Sequence, residues 1–373
     1  MRTTIVTTTI NIPVLLTAYA ENAKFYGHAD LDFVVIGDRK TPPATADFCK
    51  TIPHYPCAYL DIAAQQKYLD RFPELWNHLR FDSIQRRNIG ILLAYERGAD
   101  VIITIDDDNF VMKDDFVGIH GAVGSAKELP CYGSTSGWFN VCSLLQVDHG
   151  VKFYHRGYPR KMRWTEESQF VTCSRRTRRV AVNAGLWLDD PDIDAMTRME
   201  RQPVVRGFNA PGGGNFALQA GTWSPFNSQN TALARDVVPA YFLSPYVGRY
   251  DDIWASYVVA RIAEHLNDAI SYGGPLVRQQ RNPHDYWKDL DVERNGMIMT
   301  DDFCTALRAI PLAGSTYHEC FGEVFPGLEN AWTIGPGWTE SQKEWRAKLL
   351  EGMGIWHGVF ASLAPCAGAR EGR

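Results

Sequence analysis

The chain has 373 residues, of which 45% are hydrophobic and 22% are charged, and its formal net charge at pH 7 is -5. These values are typical of a globular protein with room for one large domain or two small ones. The small negative charge argues against nucleic acid as the main partner, and no stretch reaches the roughly 18 uninterrupted apolar residues expected of a membrane span.

Strand-like and helix-like segments alternate along the first hundred residues. In chain order the predicted elements are a strand over Thr3 to Thr9, a helix over about 14–26, a strand over Leu31 to Ile36, a proline-containing loop over 41–56, and helical stretches over about 62–80 and 83–97. This alternation predicts an α/β fold with a Rossmann-type, mostly parallel central sheet flanked by helices. Its ligand crevice is expected at the carboxyl ends of the strands.

Three consecutive aspartates follow the next predicted strand. The strand is the short β-branched run Val101 to Ile105, and Asp106, Asp107 and Asp108 come directly after it. Like charges this close repel one another unless a cation or a proton holds them. Oxygen ligands select a hard divalent ion such as Mg²⁺ or Mn²⁺, usually shared with substrate phosphates. We therefore predict a metal-bridged phosphate site, with a solvated acidic turn as the alternative.

The second half of the chain gives weaker signals. Residues 130–250 are rich in glycine, aromatic residues and short β-like runs, and no low-complexity linker precedes them, so one continuous domain over 1–290 is expected. Apolar residues repeat at helical spacing after Asp251 and predict a helix there. A mainly helical extension over 291–363 is predicted to contain a helix opened by a capping box of Thr339 and Gln342. The small and charged residues 364–373 are expected to form a frayed, disordered tail.

The cysteines and histidines narrow the chemistry and the compartment. The eight cysteines are scattered, with no CxxC pair and no metal-finger spacing, and the ten histidines form no HExxH pattern. Zinc chemistry is therefore not expected. Reduced thiols, together with an N-terminus that lacks the apolar region of a signal peptide, favour a cytoplasmic location.

Four ordered segments carry a family resemblance. They are ITIDDDNF at 103–110, RGYP at 156–159, GLWLDDPDIDA at 185–195 and GRYDDIWA at 248–255. Through them the chain resembles, over roughly residues 1–290, the reversibly glycosylated polypeptides, which include the UDP-arabinopyranose mutases. The resemblance implies a GT-A-type nucleotide-sugar transferase fold, a divalent metal (Mn²⁺ or Mg²⁺) and a nucleoside diphosphate sugar. A UDP-sugar is favoured, and GDP- and dTDP-sugars stay open.

The same resemblance implies self-glycosylation of an arginine. Arg156 is the matching attachment site, and Arg163 is a second activity-linked arginine. Chemistry alone favours an electrostatic role for both, because guanidinium has a pKa above about 12 and is a poor nucleophile. The chain also departs from the family: Ala184 stands where a histidine is usual, and the segment that holds a Tyr-His pair in the family has Val277-Arg278-Gln279 here. His284 is the candidate to take that place in the metal site.

Further roles follow if the ligand is a sugar nucleotide. Asp108 is the first candidate metal ligand, Asp106 either shares the metal or contacts the ribose, and Asp107 orients one of these two. Asp38 suits hydrogen bonds to the nucleobase or ribose, with a plain turn carboxylate as the alternative. Arg87 suits a bidentate contact with the diphosphate, and an ion pair with one of the aspartates is compatible with that role.

The remaining candidates are polar groups and one aromatic ring. Asp251 and Asp252 begin a predicted helix, where a capping role competes with contact to the sugar or general-base work. The sequence does not decide which of the two acts. Thr8, at the end of the first strand, is expected at the nucleotide site, and Trp187 is a candidate for sugar stacking. Asn215 follows three glycines and is expected to offer its amide to sugar hydroxyls, with a surface loop as the alternative.

Three functions compete at this stage. The first is a metal-dependent glycosyltransferase that passes sugar from a nucleoside diphosphate sugar to a separate, small-molecule acceptor. The second is a UDP-sugar mutase or self-glycosylating protein, and the third is a sugar-nucleotide-binding protein without catalysis. The expected partners are the sugar nucleotide and a sugar acceptor, and a homo-oligomer is left open because members of the family commonly associate.

Overall fold

Parallel strands form the N-terminal half of the central sheet. The structure, a computed structural model, describes residues 1–163, 171–210, 214–281 and 284–363. Its first elements are β1 (Thr3–Thr8), α1 (Leu16–Phe25), β2 (Leu31–Ile36), α2 (Ala44–Lys50), β3 (Cys57–Leu60), α3 (Ile62–Leu69), α4 (Pro73–His78), α5 (Arg87–Glu96) and β4 (Val101–Ile105). Strand β1 pairs in parallel with β2 and β4, and β3 pairs in parallel with β2. The carboxyl ends of these strands therefore lie side by side at one edge.

The second half of the chain continues the same sheet with mixed strand directions. Its elements are β5 (Asn109–Val111), α6 (Phe116–His120), β6 (Ala126–Ser134), β7 (Leu145–Val147), β8 (Val171–Asp189), α7 (Ala195–Glu200), β9 (Val205–Phe208), β10 (Phe216–Leu218), β11 (Asn230–Ala234), α8 (Asp251–His265), β12 (Ala269–Gln279), α9 (Tyr286–Ala309), α10 (Tyr317–Ala331) and α11 (Glu340–Ser362). The strand order is β3-β2-β1-β4-β11-β8-β6-β10-β12-β5, and β11 is antiparallel to both of its neighbours. The predicted α/β architecture, a central sheet flanked by helices with further helices at the C-terminal end, is confirmed.

Local signals predict some elements well and miss others. The loop predicted over 41–56 is wrong, because α2 lies inside it and β3 follows directly after it. Pro42 and Pro43 precede α2, and the fixed backbone angle of proline suits the start of a helix as well as a loop. The capping box is confirmed: the backbone N–H of Gln342 donates to Thr339 Oγ1, and the backbone N–H of Thr339 donates to Gln342 Oε1.

The C-terminal helices pack against α8 through aromatic rings. Trp254 of α8 stacks on Phe303 of α9 with ring centroids 4.7 Å apart, and it meets Trp332, which follows α10, at 5.4 Å. The division expected at residue 290 falls inside α9, and the tail expected over 364–373 lies outside the described residues. No described helix is both long enough and apolar enough to cross a membrane.

Gly90 allows α5 to lie close against the parallel strands. A Cβ at this position would lie 2.6 Å from Val6 Cγ1 and 3.0 Å from Ile36 Cγ1, closer than packed carbon atoms can stand. Because α5 begins at Arg87, one turn before this contact, the close approach also fixes where the Arg87 side chain enters the sheet edge.

We expect Gly90→Ala to lower the free energy of unfolding by about 1–3 kcal/mol, because the added methyl group overpacks a rigid β-branched contact. The matched control is Gly358→Ala in α11, where a Cβ meets no heavy atom within 4 Å. That variant gains helix propensity and should be neutral or more stable. Urea unfolding of both variants checks this, and equal stability of Gly90→Ala and wild type would contradict the packing argument.

Candidate active site

A cavity of about 360 Å³ opens at the carboxyl edge of the parallel strands. Most of the residues predicted for the site line it, namely Thr8, Asp38, Arg87, Asp106, Asp107, Asp108, Arg156, Asp251, Asp252 and His284. They come from the ends of β1, β2 and β4, the start of α5, the start of α8 and two loops. A parallel sheet places its ligand crevice at this edge.

The three consecutive aspartates have three different surroundings. Asp106 forms an ion pair with Arg87, and its backbone N–H donates to Asn109 Oδ1 at 3.1 Å. Asp107 turns towards the loop after β1, where it accepts hydrogen bonds from the Thr9 hydroxyl at 2.6 Å and the Asn11 amide at 3.3 Å. All three carboxylates line the cavity, but each has different partners, so the triplet is neither a solvated turn nor a uniform cluster.

Asp108 is a carboxyl that titrates near neutral pH. Burial, followed by the negative charge of Asp106, raises its pKa to about 7, and the positive charge of Arg281 opposes this rise. The side-chain amide nitrogen of Gln279, at the end of β12, lies 3.4 Å from Asp108 Oδ1. Gln279 Oε1 is buried and has no hydrogen-bond partner among the described residues. Asp108 and Gln279 thus present oxygen atoms whose preferred partners are cations or protons.

Arg87 connects the aspartate strand to the loop before β11. Its guanidinium is fully buried and donates to the carbonyl oxygen of Ser228 at 2.9 Å, to Ser228 Oγ at 2.7 Å and to Thr8 Oγ1 at 3.2 Å. Burial acts to lower the pKa of Arg87, but the ion pair with Asp106 outweighs it and raises the pKa. The ion pair predicted for Arg87 is therefore present, and its contact with a diphosphate stays a prediction.

Arg156 lies between two buried carboxylates. Its Nε and Nη2 donate to the two oxygens of Asp192, each at 2.9 Å, and its terminal nitrogens lie 3.3 Å from Asp252 Oδ1. A further bond runs to the carbonyl oxygen of Arg249. Burial acts to lower the pKa of Arg156, but the two carboxylates outweigh it and raise the pKa well above its usual value. This guanidinium is held firmly in its charged form.

Asp251 and Asp252 differ although they are adjacent in the first turn of α8. Asp252 Oδ1 faces Arg156, and Oδ2 accepts from the Ser228 N–H at 3.0 Å and the Ser228 hydroxyl at 3.2 Å. Both of its oxygens are therefore engaged outside the helix, which is not the arrangement of a simple cap. Burial, followed by the charge of Asp252, raises the pKa of Asp251 to about 7.

Three predicted residues lie away from this cavity. Trp187, near the carboxyl end of β8, is 1% exposed and packs 5.4 Å from the ring of His155, so it belongs to the core. The Asn215 amide donates to Asn183 Oδ1 at 2.9 Å on the sheet. Arg163 pairs with Asp194 at 2.6 Å and lines a second cavity of about 270 Å³. Neither a place in or near a matched segment, as for Trp187 and Arg163, nor a preceding glycine run, as for Asn215, brings these side chains to the main cavity.

His284 lines the cavity but has a partner of its own. Its Nδ1 lies 2.9 Å from Asp289 Oδ2 in α9. Over the ranges that the structure describes, no group of three or more His, Cys, Asp or Glu side chains is placed to hold a metal ion. The structure therefore does not assemble His284 with Asp106 and Asp108 into one ligand set.

Sequence reasoning missed four residues that complete the site. Asp192 lies in the matched segment 185–195 but was not singled out there, and Ser228 follows no recognisable motif. Gln279 and Arg281 stand in the segment where the chain departs from the family. For Gln279 and Arg281, this departure from the family pattern is the only sign in the local sequence of a role at the site. Their partners come from distant parts of the chain, so local spacing cannot reveal them.

The comparisons with known proteins identify the family. A model of the reversibly glycosylated polypeptide family matches residues 67–330. This chain belongs to that family. The resemblance drawn from the four segments is therefore confirmed, and all four segments lie within the matched region.

Curated relatives of this family member are named as mutases. Probable UDP-arabinopyranose mutase 1 of Solanum tuberosum is 31% identical over 234 residues, which are 60% of this chain and 59% of the relative. UDP-arabinopyranose mutase 1 of Oryza sativa subsp. japonica is 27% identical over 281 residues, 72% of this chain and 70% of the relative. The first of these alignments spans less than two thirds of the relative's length.

The solved structures that match this chain are more distant in sequence than the curated relatives. Glucosyl-3-phosphoglycerate synthase from Mycobacterium tuberculosis, in complex with uridine-diphosphate, is 11% identical, with 84% of this chain and 82% of that chain covered and a TM-score of 0.41. S. aureus TarS 1-349, in complex with UDP-GlcNAc, is 8% identical, with 97% and 91% covered and a TM-score of 0.42.

The raised pKa of Asp251 predicts a pH-dependent stability. Its folded pKa, about 7, exceeds the value near 3.9 in an unfolded chain, so the folded state binds the extra proton. This contribution is fully present below about pH 4 and is lost as pH rises through 7. We expect Asp251→Asn to reduce the fall in Tm between pH 5 and pH 8, whereas Asp70→Asn at an exposed position should not. Calorimetric scans that show parallel pH profiles for wild type and Asp251→Asn would refute the assignment.

Proposed function

We propose that this chain is an enzyme that binds a nucleoside diphosphate sugar and breaks the bond between the anomeric carbon and the diphosphate. A UDP-sugar is the preferred candidate for this substrate. The observation that carries the proposal is the meeting, in one cavity, of the aspartates after β4 with the acidic pair that begins α8. The first set suits a divalent cation that would hold the diphosphate, and the second set suits the hydroxyls of the sugar. The names of the curated relatives support a UDP-sugar as the ligand.

The residues after β4 and β12 fit a hard divalent cation. Asp106 and Asp108 offer carboxylate oxygens, which Mg²⁺ and Mn²⁺ prefer, and the neighbouring Gln279 has an amide oxygen without a partner among the described residues, although its amide nitrogen is the atom that lies 3.4 Å from Asp108. Arg87 holds Asp106 in place, and Asp107 is occupied by Thr9. When bound, such a cation neutralises charge that develops on the leaving diphosphate. We propose Asp108 and Gln279 as its main protein ligands, with His284 outside the set.

Asp251 and Asp252 take different parts in the proposed reaction. Asp252 is a fixed negative charge near the position where the anomeric carbon gains positive charge, because Arg156 and Ser228 hold both of its oxygens. Asp251, with a pKa of about 7, can accept a proton from a sugar or acceptor hydroxyl at neutral pH and give it back. Arg156 positions Asp252 and adds positive charge to the cavity wall.

Transfer to a separate acceptor is the first candidate for the fate of the sugar. Arg156 is held as a cation by Asp192 and Asp252, so it has no free lone pair with which to form a bond to carbon. A hydroxyl of a small acceptor, deprotonated by Asp251, is the simpler nucleophile. In this scheme the acceptor proton moves to Asp251, and the diphosphate leaves with the electron pair of the broken bond.

Isomerisation of the sugar ring is the second candidate, and the names of the curated relatives favour it. A change between pyranose and furanose forms needs a proton to leave one hydroxyl and reach another oxygen of the same sugar. A carboxyl that titrates near pH 7 can perform both transfers. Covalent attachment to Arg156 would require that the guanidinium first lose its proton to a neighbouring base.

Product analysis separates these candidates. The protein is incubated with UDP-arabinopyranose and with UDP-, GDP- and dTDP-hexoses in Mg²⁺ or Mn²⁺, and nucleotides and protein are analysed by chromatography and intact mass. A ring-contracted nucleotide shows a mutase, UDP release that depends on an added acceptor shows a transferase, and a sugar on the Arg156 peptide shows self-glycosylation. Binding without any product would show a non-catalytic sugar-nucleotide-binding protein.

We expect Asp108→Asn to weaken Mg²⁺-dependent UDP binding by roughly tenfold or more, since a charged ligand is lost. Asp107→Asn is the matched control, because that carboxylate is turned towards Thr9 and Asn11. It should change affinity much less. Titration calorimetry with Mg²⁺ and with EDTA checks both variants, and unchanged affinity of Asp108→Asn in Mg²⁺ would remove Asp108 from the metal site.

We expect Asp251→Asn to lower kcat by about 10²- to 10⁴-fold with little change in UDP-sugar affinity, because it removes a proton acceptor and leaves the diphosphate contacts in place. The wild-type rate should rise with pH through about 7 as Asp251 ionises. Steady-state assays between pH 5.5 and 9 measure both effects. A variant with the wild-type rate and pH profile would exclude Asp251 as the base.

A further inference from the structure

Arg281 is a buried guanidinium whose hydrogen bonds are incomplete. It follows β12, lines the main cavity, and has a side chain only 7% exposed. Its Nε and Nη2 are buried and have no hydrogen-bond partner in the part of the chain that the structure describes. The nearest carboxylate oxygens belong to Asp190, 3.4 Å from Nε, and Asp192, 3.9 Å from Nη2.

Both of these carboxylates already have other partners. Asp190 accepts a hydrogen bond from Arg198, and Asp192 is engaged through both oxygens by Arg156. Asp192 is thus shared between Arg156 and Arg281, and Asp190 between Arg198 and Arg281, while Arg156 also pairs with Asp252. Arg281 is therefore left without a hydrogen-bonded carboxylate of its own. Burying a charge without a full set of partners is costly unless a ligand supplies them.

The other arginines on the cavity each have at least one strong polar partner, although Arg86 Nη2 and Arg87 Nε are also buried without a hydrogen bond among the described residues. Arg87 pairs with Asp106, and Arg249 pairs with Glu293 at 2.8 Å. The guanidinium of Arg86 lies 5.0 Å and 4.7 Å from the ring centroids of Trp76 and Phe81 and donates to Gln65 at 2.7 Å. Arg281 differs from them because two of its nitrogens, Nε and Nη2, lack a hydrogen bond among the described residues, and its carboxylate neighbours lie only at 3.4 Å and 3.9 Å.

We infer that Arg281 binds the phosphate group that joins the diphosphate to the sugar. This inference rests on the proposed function and assigns one of its contacts. A guanidinium group can donate two parallel N–H hydrogen bonds to two oxygens of one phosphate. An arginine whose N–H groups are already paired with protein or with bulk water binds phosphate less favourably in this way. Arg281 follows Gln280, whose backbone N–H donates to the carbonyl oxygen of Asp108 at 3.1 Å, and its Nη2 lies 3.9 Å from Asp192, the partner of Arg156. It therefore stands where diphosphate and sugar meet, and it stabilises negative charge on the leaving group.

The test compares Arg281→Gln and Arg281→Lys with Arg278→Gln. Arg278 is the matched control, because it lies on β12 three residues earlier, is half exposed and pairs with Asp189. Binding of UDP, UMP and inorganic pyrophosphate is measured by titration calorimetry in Mg²⁺, and thermal melting checks the fold of each variant. The UDP-to-UMP affinity ratio is the deciding quantity, because a purely structural defect would weaken both nucleotides alike.

We expect Arg281→Gln to weaken UDP and pyrophosphate by about 10- to 100-fold and UMP by no more than about twofold. Arg281→Lys keeps the positive charge but loses the paired N–H donors of guanidinium, so its UDP affinity should lie between those of wild type and Arg281→Gln. The UDP affinity of Arg278→Gln should match wild type. If Arg281→Gln does not fold, the ratio in Arg281→Lys decides.

Failure of this inference is distinct from failure of the proposed function. Wild type that binds UDP, with an unchanged ratio in both Arg281 variants, would overturn the assignment of Arg281 and leave the proposed function standing. If wild type binds pyrophosphate, the Arg281 variants weaken that binding, and wild type binds UDP no better than pyrophosphate, Arg281 is an anion-binding residue but the proposed function is overturned. Wild type that binds neither UDP nor pyrophosphate would overturn both.

Discussion

A continuous chain of buried hydrogen bonds and ion pairs crosses the floor of the cavity and fixes the site. In order its members are Asp106, Arg87, Ser228, Asp252, Arg156 and Asp192. It joins the end of β4 to the start of α8 and to the segment after β8. Acidic and basic groups alternate along it, with one serine that serves both signs, so each buried charge has a partner of opposite sign. Attraction between such groups is stronger in the protein interior than in water.

This network makes the site part of the stability of the fold. A buried ion pair contributes little net stability, yet removing one partner leaves an uncompensated charge that is costly. Ser228 is the uncharged member of the network, yet it makes contacts on both sides. Its carbonyl and hydroxyl oxygens accept from Arg87, while its N–H and hydroxyl donate to Asp252. The loop before β11 must therefore keep one backbone geometry for both halves of the cavity to stay in place.

Local sequence signals predicted the strands and helices that carry the site better than the contacts inside it. The β-branched run before Asp106 and the helical periodicity after Asp251 depend on neighbouring residues, and both are present. The pairing of Arg156 with Asp192 joins residues 36 positions apart, and nothing in the spacing of either motif encodes it. Trp187 and Asn215 were expected at the cavity because they lie in or near suggestive segments, but β8 directs Trp187 into the core. A motif locates a residue along the chain, whereas the sheet decides which face its side chain occupies.

The unequal surroundings of Asp251 and Asp252 follow from this same network. One oxygen of Asp252 accepts from Arg156 and the other accepts from Ser228, so these donors are already engaged by Asp252. Asp251, buried beside that negative charge, has a pKa raised to about 7, with only partial opposition from Arg156. Two adjacent carboxyl groups with unlike environments can divide the work of a reaction, one as a fixed charge and one as a proton carrier. The division needs no further residue, because burial raises the pKa of Asp251 and the adjacent negative charge of Asp252 adds to that rise.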